Sequence, residues 1–215
     1  MTTPTKMNTS RTYTISASLA LAITAALLTP TSTHAITRVK VAPEVGRHIF
    51  QLDLGTSGSI EEDAADIGFA WSAAWTYHAD NSLGLGITVG RNKPESNFSA
   101  INSTFLDYDF SYVAATIHVR APTRGAFIPR LQAGFGKYSL NINQFDRATS
   151  SKLVSVDVDD FGMFYGFGVD YLIAPHLSLG VVANYHFISV NDSDIGVGEW
   201  YDTWDLKAVI TIYTR

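Results

Sequence analysis

The chain of 215 residues contains no cysteine. Neither a disulfide framework nor a thiolate metal site can therefore hold it together. Past residue 35 it also lacks any apolar run near the 20 or so residues that a spanning helix needs. Basic residues are few, with 15 Lys+Arg against 20 Asp+Glu, and because Lys6 and Arg11 lie in the first segment the remainder is more acidic still. That balance argues against a nucleic-acid partner, whose phosphates call for cations. A small domain with no staple and no spanning helix needs another source of order, and a closed β-barrel in lipid is one, because every backbone group finds a partner in the ladder.

What is present begins with an export signal. Lys6 and Arg11 supply a positive region, Ile15 to Leu28 an apolar one, and Thr33-His34-Ala35 small residues where a leader is cut. The other reading, an anchoring helix, fails on length. Residues 1–35 are thus expected to be a signal peptide and 36–215 a single mature domain.

Within that domain, eight segments alternate large and small residues at period two, the mark of a strand with unlike faces. They run from Arg47 to Gly55, Asp66 to His78, Leu83 to Arg91, Phe105 to Arg120, Phe127 to Tyr138, Phe161 to Ile173, Leu177 to Val190 and Thr203 to Thr214. The stretch from Gly166 to Phe187 is the plainest: two alternating runs flank an Ala174-Pro175-His176 turn. Connectors at His78 to Ser82, Ala121 to Ala126 and Ala174 to His176 are short, while those between are long and polar. Short turns on one side and long loops on the other, joined by about 10-residue strands, describe a transmembrane barrel with its short turns in the periplasm. The fold expected is all-β, an eight-stranded antiparallel up-and-down barrel.

The two faces then acquire roles. In the second segment Ile67, Phe69, Trp71, Ala73, Trp75 and Tyr77 alternate with Gly68, Ala70, Ser72, Ala74 and Thr76, so the large set faces lipid. Trp71, Trp75, Tyr77, Tyr171, Trp204 and Tyr213, with Tyr108, Trp200 and Tyr201, fall near segment ends, where aromatic girdles meet the membrane interfaces. A phase slip near Ala114-Ala115 would mark a bulge in the fourth segment. The inward set gathers Gln51, Asp53, Arg130, Gln132, Asp170, Asn184, His186, Asp205 and Lys207. Charges in a narrow lumen are costly unless paired, so Arg130 and Lys207 are expected to meet Asp53, Asp170 and Asp205 in one network that plugs the barrel. An ion-conducting path is the alternative, against which eight strands leave an interior that side chains fill.

Catalysis is disfavoured by geometry. His186 and Ser189 are three residues apart on a strand and point to opposite faces, so they cannot form a nucleophile and base without a bulge. The acids crowd the expected loops: Glu61, Glu62, Asp63 and Asp66, then Asp146, Asp157, Asp159 and Asp160, then Asp192, Asp194, Glu199 and Asp202. Asn191 to Gly196 has the oxygen density of a calcium loop but lacks its spacing and distal Glu. No catalytic, cofactor or metal site is assigned.

The combination resembles the outer-membrane β-barrel superfamily that includes OmpA-type transmembrane domains and small porin-like proteins. The resemblance spans about residues 46 to 215 and is carried by Gly166-Phe167-Gly168-Val169-Asp170-Tyr171, the Pro175 turn, Leu177-Ser178-Leu179-Gly180 and Ala133-Gly134-Phe135-Gly136. It implies a monomer in the bacterial outer membrane, placed by the barrel assembly machinery and in contact with outer-membrane lipids, lipopolysaccharide and an extracellular ligand. Members usually end on an aromatic residue, whereas this chain ends Ile212-Tyr213-Thr214-Arg215, with Tyr213 in an offset position. The expected role is structural or surface-interacting, the alternative a small channel for ions or small hydrophobic solutes, and least favoured a lipid-modifying enzyme.

Overall fold

The computed structural model describes residues 48–59, 66–80, 82–95, 104–121, 125–146, 148–192 and 197–214. The expected signal peptide lies outside them. Eight strands follow one another: β1 (His48–Ser59), β2 (Asp66–His78), β3 (Leu83–Glu95), β4 (Thr104–Arg120), β5 (Phe127–Asp146), β6 (Lys152–Ala174), β7 (Leu177–Asp192) and β8 (Val197–Tyr213). Each pairs antiparallel with its neighbour in sequence, and β1 pairs with β8 from Ile49↔Tyr213 to Ser59↔Thr203, which closes the barrel. Closure leaves no open sheet edge across the spanning part, as lipid demands.

Pleating sorts the side chains. Along β2 the residues from Ile67 to His78 alternate without interruption between outward and buried, so one register places every large apolar group outside and, Ala73 apart, every small or polar one inside. Outward positions on all eight strands form an apolar belt, with Ile67 59% and Leu131 58% exposed in the isolated chain. Soluble monomers rarely show an apolar patch beyond a few hundred Å², so a belt that circles the molecule is a lipid-facing surface.

At one end the turns are short. Asp80 organises the first: its carboxylate accepts the backbone N–H groups of Ser82 and Leu83, each at 2.6 Å, and these bonds hold its pKa below the usual carboxylate range. Pro175 and His176 alone join β6 to β7.

At the other end the structure corrects one expectation. The segment between Tyr138 and Phe161, expected to be a long polar loop, is mostly ladder, because β5 and β6 continue in register to Gln144↔Val154, and the chain reverses between Asp146 and Lys152. Val154, Val156 and Val158 alternate there with polar residues, and β-branched side chains favour a pleated backbone. The chain reverses as Asp146 accepts the N–H groups of Ala148 at 2.8 Å and Thr149 at 3.0 Å and Ser150 adopts a left-handed conformation, φ 53°. The phase of the fourth segment, open in the sequence near Ala114-Ala115, is settled without a bulge there: β4 pairs with both neighbours in unbroken register, and the shifts lie at Asp66/Phe69, Gln144/Phe145 and Leu172/Ala174.

Candidate functional site

Inward positions converge on a lumen filled by two layers. The first is ionic: Asp53, Asp170 and Asp205 face Arg120, Arg130 and Lys207, and none of the six is more than 2% exposed. Three acids against three bases leave the set neutral when all are ionised.

The groups form one continuous chain along the axis. Nearest the short turns, Ser178 Oγ lies 3.1 Å from Tyr213 Oη, which accepts from Arg120 Nη1 at 2.6 Å. Arg120 Nη1 stands 3.3 Å from Asp170 Oδ2, and Arg130 Nη1 3.7 Å from Asp170 Oδ1, so one carboxylate is shared by two guanidinium groups. Arg130 donates to Gln51 Oε1, and the Gln51 amide donates to both oxygens of Asp53 at 2.9 Å. Ser72 Oγ donates to Asp53 at 2.8 Å and accepts from Lys207 Nζ at 3.2 Å. Lys207 in turn lies 2.8 Å from Asp205 Oδ2.

Asp205 is the junction with the second layer. It accepts from Asn184 at 2.7 Å and from Asn92 at 3.2 Å, and Gln132 donates to Asn184 Oδ1 at 2.6 Å. His186 Nε2 sits 2.8 Å from Asp205 Oδ2 while its Nδ1 faces the Tyr138 hydroxyl at 3.1 Å. A proton on Nε2 satisfies both contacts, with Tyr138 donating to Nδ1. Around the imidazole stand Phe110, Tyr112, Tyr138 and Phe164, with ring centroids 5.2 to 6.0 Å away. Tyr112 and Tyr138 stack on each other at 5.2 Å, and Tyr108 on Tyr201 at the same distance, while Leu140 and Ile188 complete the apolar cluster.

Glycines make room for these rings. A Cβ on Gly134 would lie 2.3 Å from Phe164 Cε1, and one on Gly90 would lie 2.6 Å from the Tyr112 ring. Small residues on the inward face are therefore seats for aromatic groups from the neighbouring strands.

Asp53, Arg130, Gln132, Asp170, Asn184, His186, Asp205 and Lys207 all lie in this one network. Sequence reasoning missed Arg120, Asn92 and the aromatic layer. Arg120, Phe110 and Tyr112 sit on β4, where a slip at Ala114-Ala115 would have reversed the faces; read in unbroken alternation from Ala114, the strand places all three inside. His78 and His118 are also inward and buried, and their ring nitrogens take no hydrogen-bond partner among the described residues.

The aromatic residues expected at the interfaces divide. Trp75 and Tyr77 face outward near the short turns, with His48 stacked 5.7 Å from Trp75, and Tyr171 faces outward 5.0 Å from Phe127. Trp71 and Trp204 are half-buried, with Trp71 opposite Arg91 and Trp204 opposite Tyr185 in the ladders. Tyr213 is a correction: it is buried at 5% and turned inward, because it shares the phase of Lys207, Val209 and Thr211, and its hydroxyl binds Arg120. Tyr108 and Tyr201 are likewise inside, and the side chain of Trp200 lies outside the described residues. Ser189 holds the outward phase opposite to His186, so those two groups are not brought together.

Outward residues beyond the apolar belt become charged. Arg91 binds Asp109, Lys93 lies 3.7 Å from Asp107, and Lys137 lies 2.7 Å from Asp159. The switch from Phe161 and Phe135, stacked at 5.6 Å, to these pairs within two residues marks where hydrocarbon gives way to water.

A closed ladder, an apolar belt and a filled polar lumen define an outer-membrane β-barrel protein. The chain belongs to the outer membrane protein beta-barrel domain family, whose profile matches residues 17–206. Its fold is similar to that of Neisserial surface protein A, at 17% identity over 78% of this chain and 98% of that one, TM-score 0.58. It is also similar to a major outer membrane protein from Thermus thermophilus, at 10% identity over 80% and 100%, TM-score 0.53. A third likeness is to Ail, the attachment invasion locus protein of Yersinia pestis, at 15% identity over 78% and 99%, TM-score 0.50. At these identities the likeness is one of fold. No curated protein sequence matches the chain.

Proposed function

We propose that this outer-membrane protein is a closed, monomeric barrel with a structural or surface-interaction role. The observation that carries this reading is the neutral chain of three acids and three bases beside the aromatic layer, all of them buried on the inward face of the barrel. Charge pairs with no exposure offer an ion no hydration, and rings in contact offer a solute no passage. Chemistry on lipid is disfavoured, since His186 is engaged by Asp205 and Tyr138 inside the wall.

In this reading the short turns face the periplasm and the extended end faces outward. Arg91, Lys93 and Lys137 then stand at the height of lipopolysaccharide phosphates, and the acidic outer segments meet environmental or host ligands. The assembly machinery is taken to insert the barrel through β8, with Tyr213 contributing from its inward position.

Planar-bilayer recording tests the reading. The native chain is expected to give no discrete openings, and openings whose amplitude changes in Arg130→Ala or Lys207→Ala would support the channel instead. Unchanged lipid A masses on overexpression are expected, and a new acylation state would indicate an enzyme.

A further inference from the structure

Toward the short turns, two basic residues stand side by side. Arg120 on β4 and Arg130 on β5 are direct ladder partners, both inward and neither more than 2% exposed. Like charges opposite each other on one face repel. Among the described residues Asp170 is the one carboxylate set against both, 3.3 Å from Nη1 of Arg120 and 3.7 Å from Nη1 of Arg130. The next acid, Asp53, is joined to Arg130 through Gln51, and its oxygens accept from the Gln51 amide and the Ser72 hydroxyl. The six charges balance over the lumen as a whole, yet two cations against one carboxylate leave this end with a positive excess.

Buried donors gather around that excess. Nε of Arg120 and both Nε and Nη2 of Arg130 have no hydrogen-bond partner among the described residues, nor do the four ring nitrogens of His78 and His118. Register brings the two imidazoles to the same wall, because His78 pairs with Gly84 and Gly84 with His118. Only that glycine lies between them, and a Cβ on it would stand 2.7 Å from His78 Nε2, so the ring occupies the gap. Arg120 follows His118 by two residues on the same inward face. A neutral imidazole keeps one N–H, so β2, β4 and β5 all turn donors into the lumen here. Buried donors left without an acceptor are costly, charged ones most of all.

The chemistry of the set selects among ligands. A metal cation would meet the positive excess, and among the described residues no acceptor stands behind either imidazole to orient it as a ligand. Water would satisfy hydrogen bonds but leave the charge. An anion answers both, and one of halide size has no fixed bond directions, which suits donors arriving from three strands. We propose that His78, His118, Arg120 and Arg130 form a blind site for one halide-sized anion. His78 and Arg120 end their strands at the short turns, so the site is entered from that side, and the aromatic layer around His186 closes it toward the other. An ion held at a dead end does not conduct, so the site goes beyond the closed-barrel reading without opposing it.

The test uses the full chain, labelled with ¹⁵N, in lipid nanodiscs at pH 8, where an ordinary imidazole is neutral. Potassium gluconate is exchanged for potassium bromide at constant ionic strength. The Nε resonances of Arg120 and Arg130 and the ring-nitrogen resonances of His78 and His118 should shift along one saturable curve, and bromide should show its anomalous scattering among them in crystals. Two variants, read in barrels that still run compact before boiling, should move the affinity in opposite directions. Arg120→Gln leaves Arg130 balanced by Asp170 and should weaken binding at least about tenfold, whereas Asp170→Asn removes the nearest negative charge and should tighten it by a similar factor. Loss of packing alone would not reverse the sign. Shifts of the native chain that grow linearly with bromide, or scattering that finds only water among the four side chains, would overturn the site, as would equal affinity in both variants.

Discussion

Asp170 is a carboxylate shared by two guanidinium groups, since Arg120 and Arg130 both lie against it and all three are buried. Asp170→Asn keeps the shape but leaves two guanidinium groups with no carboxylate beside them. Breaking a buried pair costs about 3–5 kcal/mol, so the denaturant midpoint should fall sharply, and adding Arg120→Gln should restore part of it. The packing above is as exacting in another way. Gly134→Ala sets a methyl against Phe164 and should cost about 1–3 kcal/mol by overpacking, an effect Phe164→Leu should relieve. Residues like Arg130, Lys207 and Asp170 are legible from sequence because alternation on β5, β6 and β8 is strict and a charge on the inward phase stands out. Phe110 and Tyr112 are not, since an aromatic residue suits lipid and lumen equally and only the register tells which. Tyr213 is misplaced when nearness to a strand end is weighed above its phase.

Among the elements, the β5–β6 hairpin departs furthest from the sequence reading. Ser139, Asn141, Asn143, Ser155, Asp157 and Asp159 look like loop chemistry, yet they line one face of a ladder whose other face includes Leu140, Ile142, Val156 and Val158. Polar residues lower strand expectation when both faces are averaged, and alternation recovers it once the phase of Tyr138 is carried outward. The turn depends on Asp146, whose carboxyl is held below the usual range by the N–H groups of Thr149 and Ala148 and by the Thr149 hydroxyl. A depressed native pKa supplies stability that is complete above the ordinary carboxylate range and is lost as pH falls through the depressed value. The Thr149 amide resonance should therefore titrate with a midpoint below the usual aspartate value of about 3.9. A midpoint at or above it would show that the turn is held otherwise.

At the scale of the whole molecule, fold and filling are separate results of one alternation. Outward, it builds a belt that only lipid can cover; inward, it builds a neutral core of ions and rings that replaces the hydrophobic core of a soluble domain. Strand number links them, because eight strands give an interior that side chains can fill. The barrel and its class could be read from eight alternating segments. Which inward groups touch could not, because contact across the lumen joins strands far apart in sequence, as Lys207 and Ser72 do.

The absence of cysteine makes the closed lumen directly measurable, since any introduced thiol reports a single site. Thr88 is inward, 4% exposed and 3.3 Å from the Thr116 hydroxyl, while Ser155 is exposed on the outer ribbon. In nanodiscs, Thr88→Cys should resist a charged, water-soluble thiosulfonate reagent under conditions that label Ser155→Cys to completion. Labelling of Thr88→Cys at a rate comparable to Ser155→Cys would mean that water and ions reach the middle of the barrel, and the closed lumen would be contradicted.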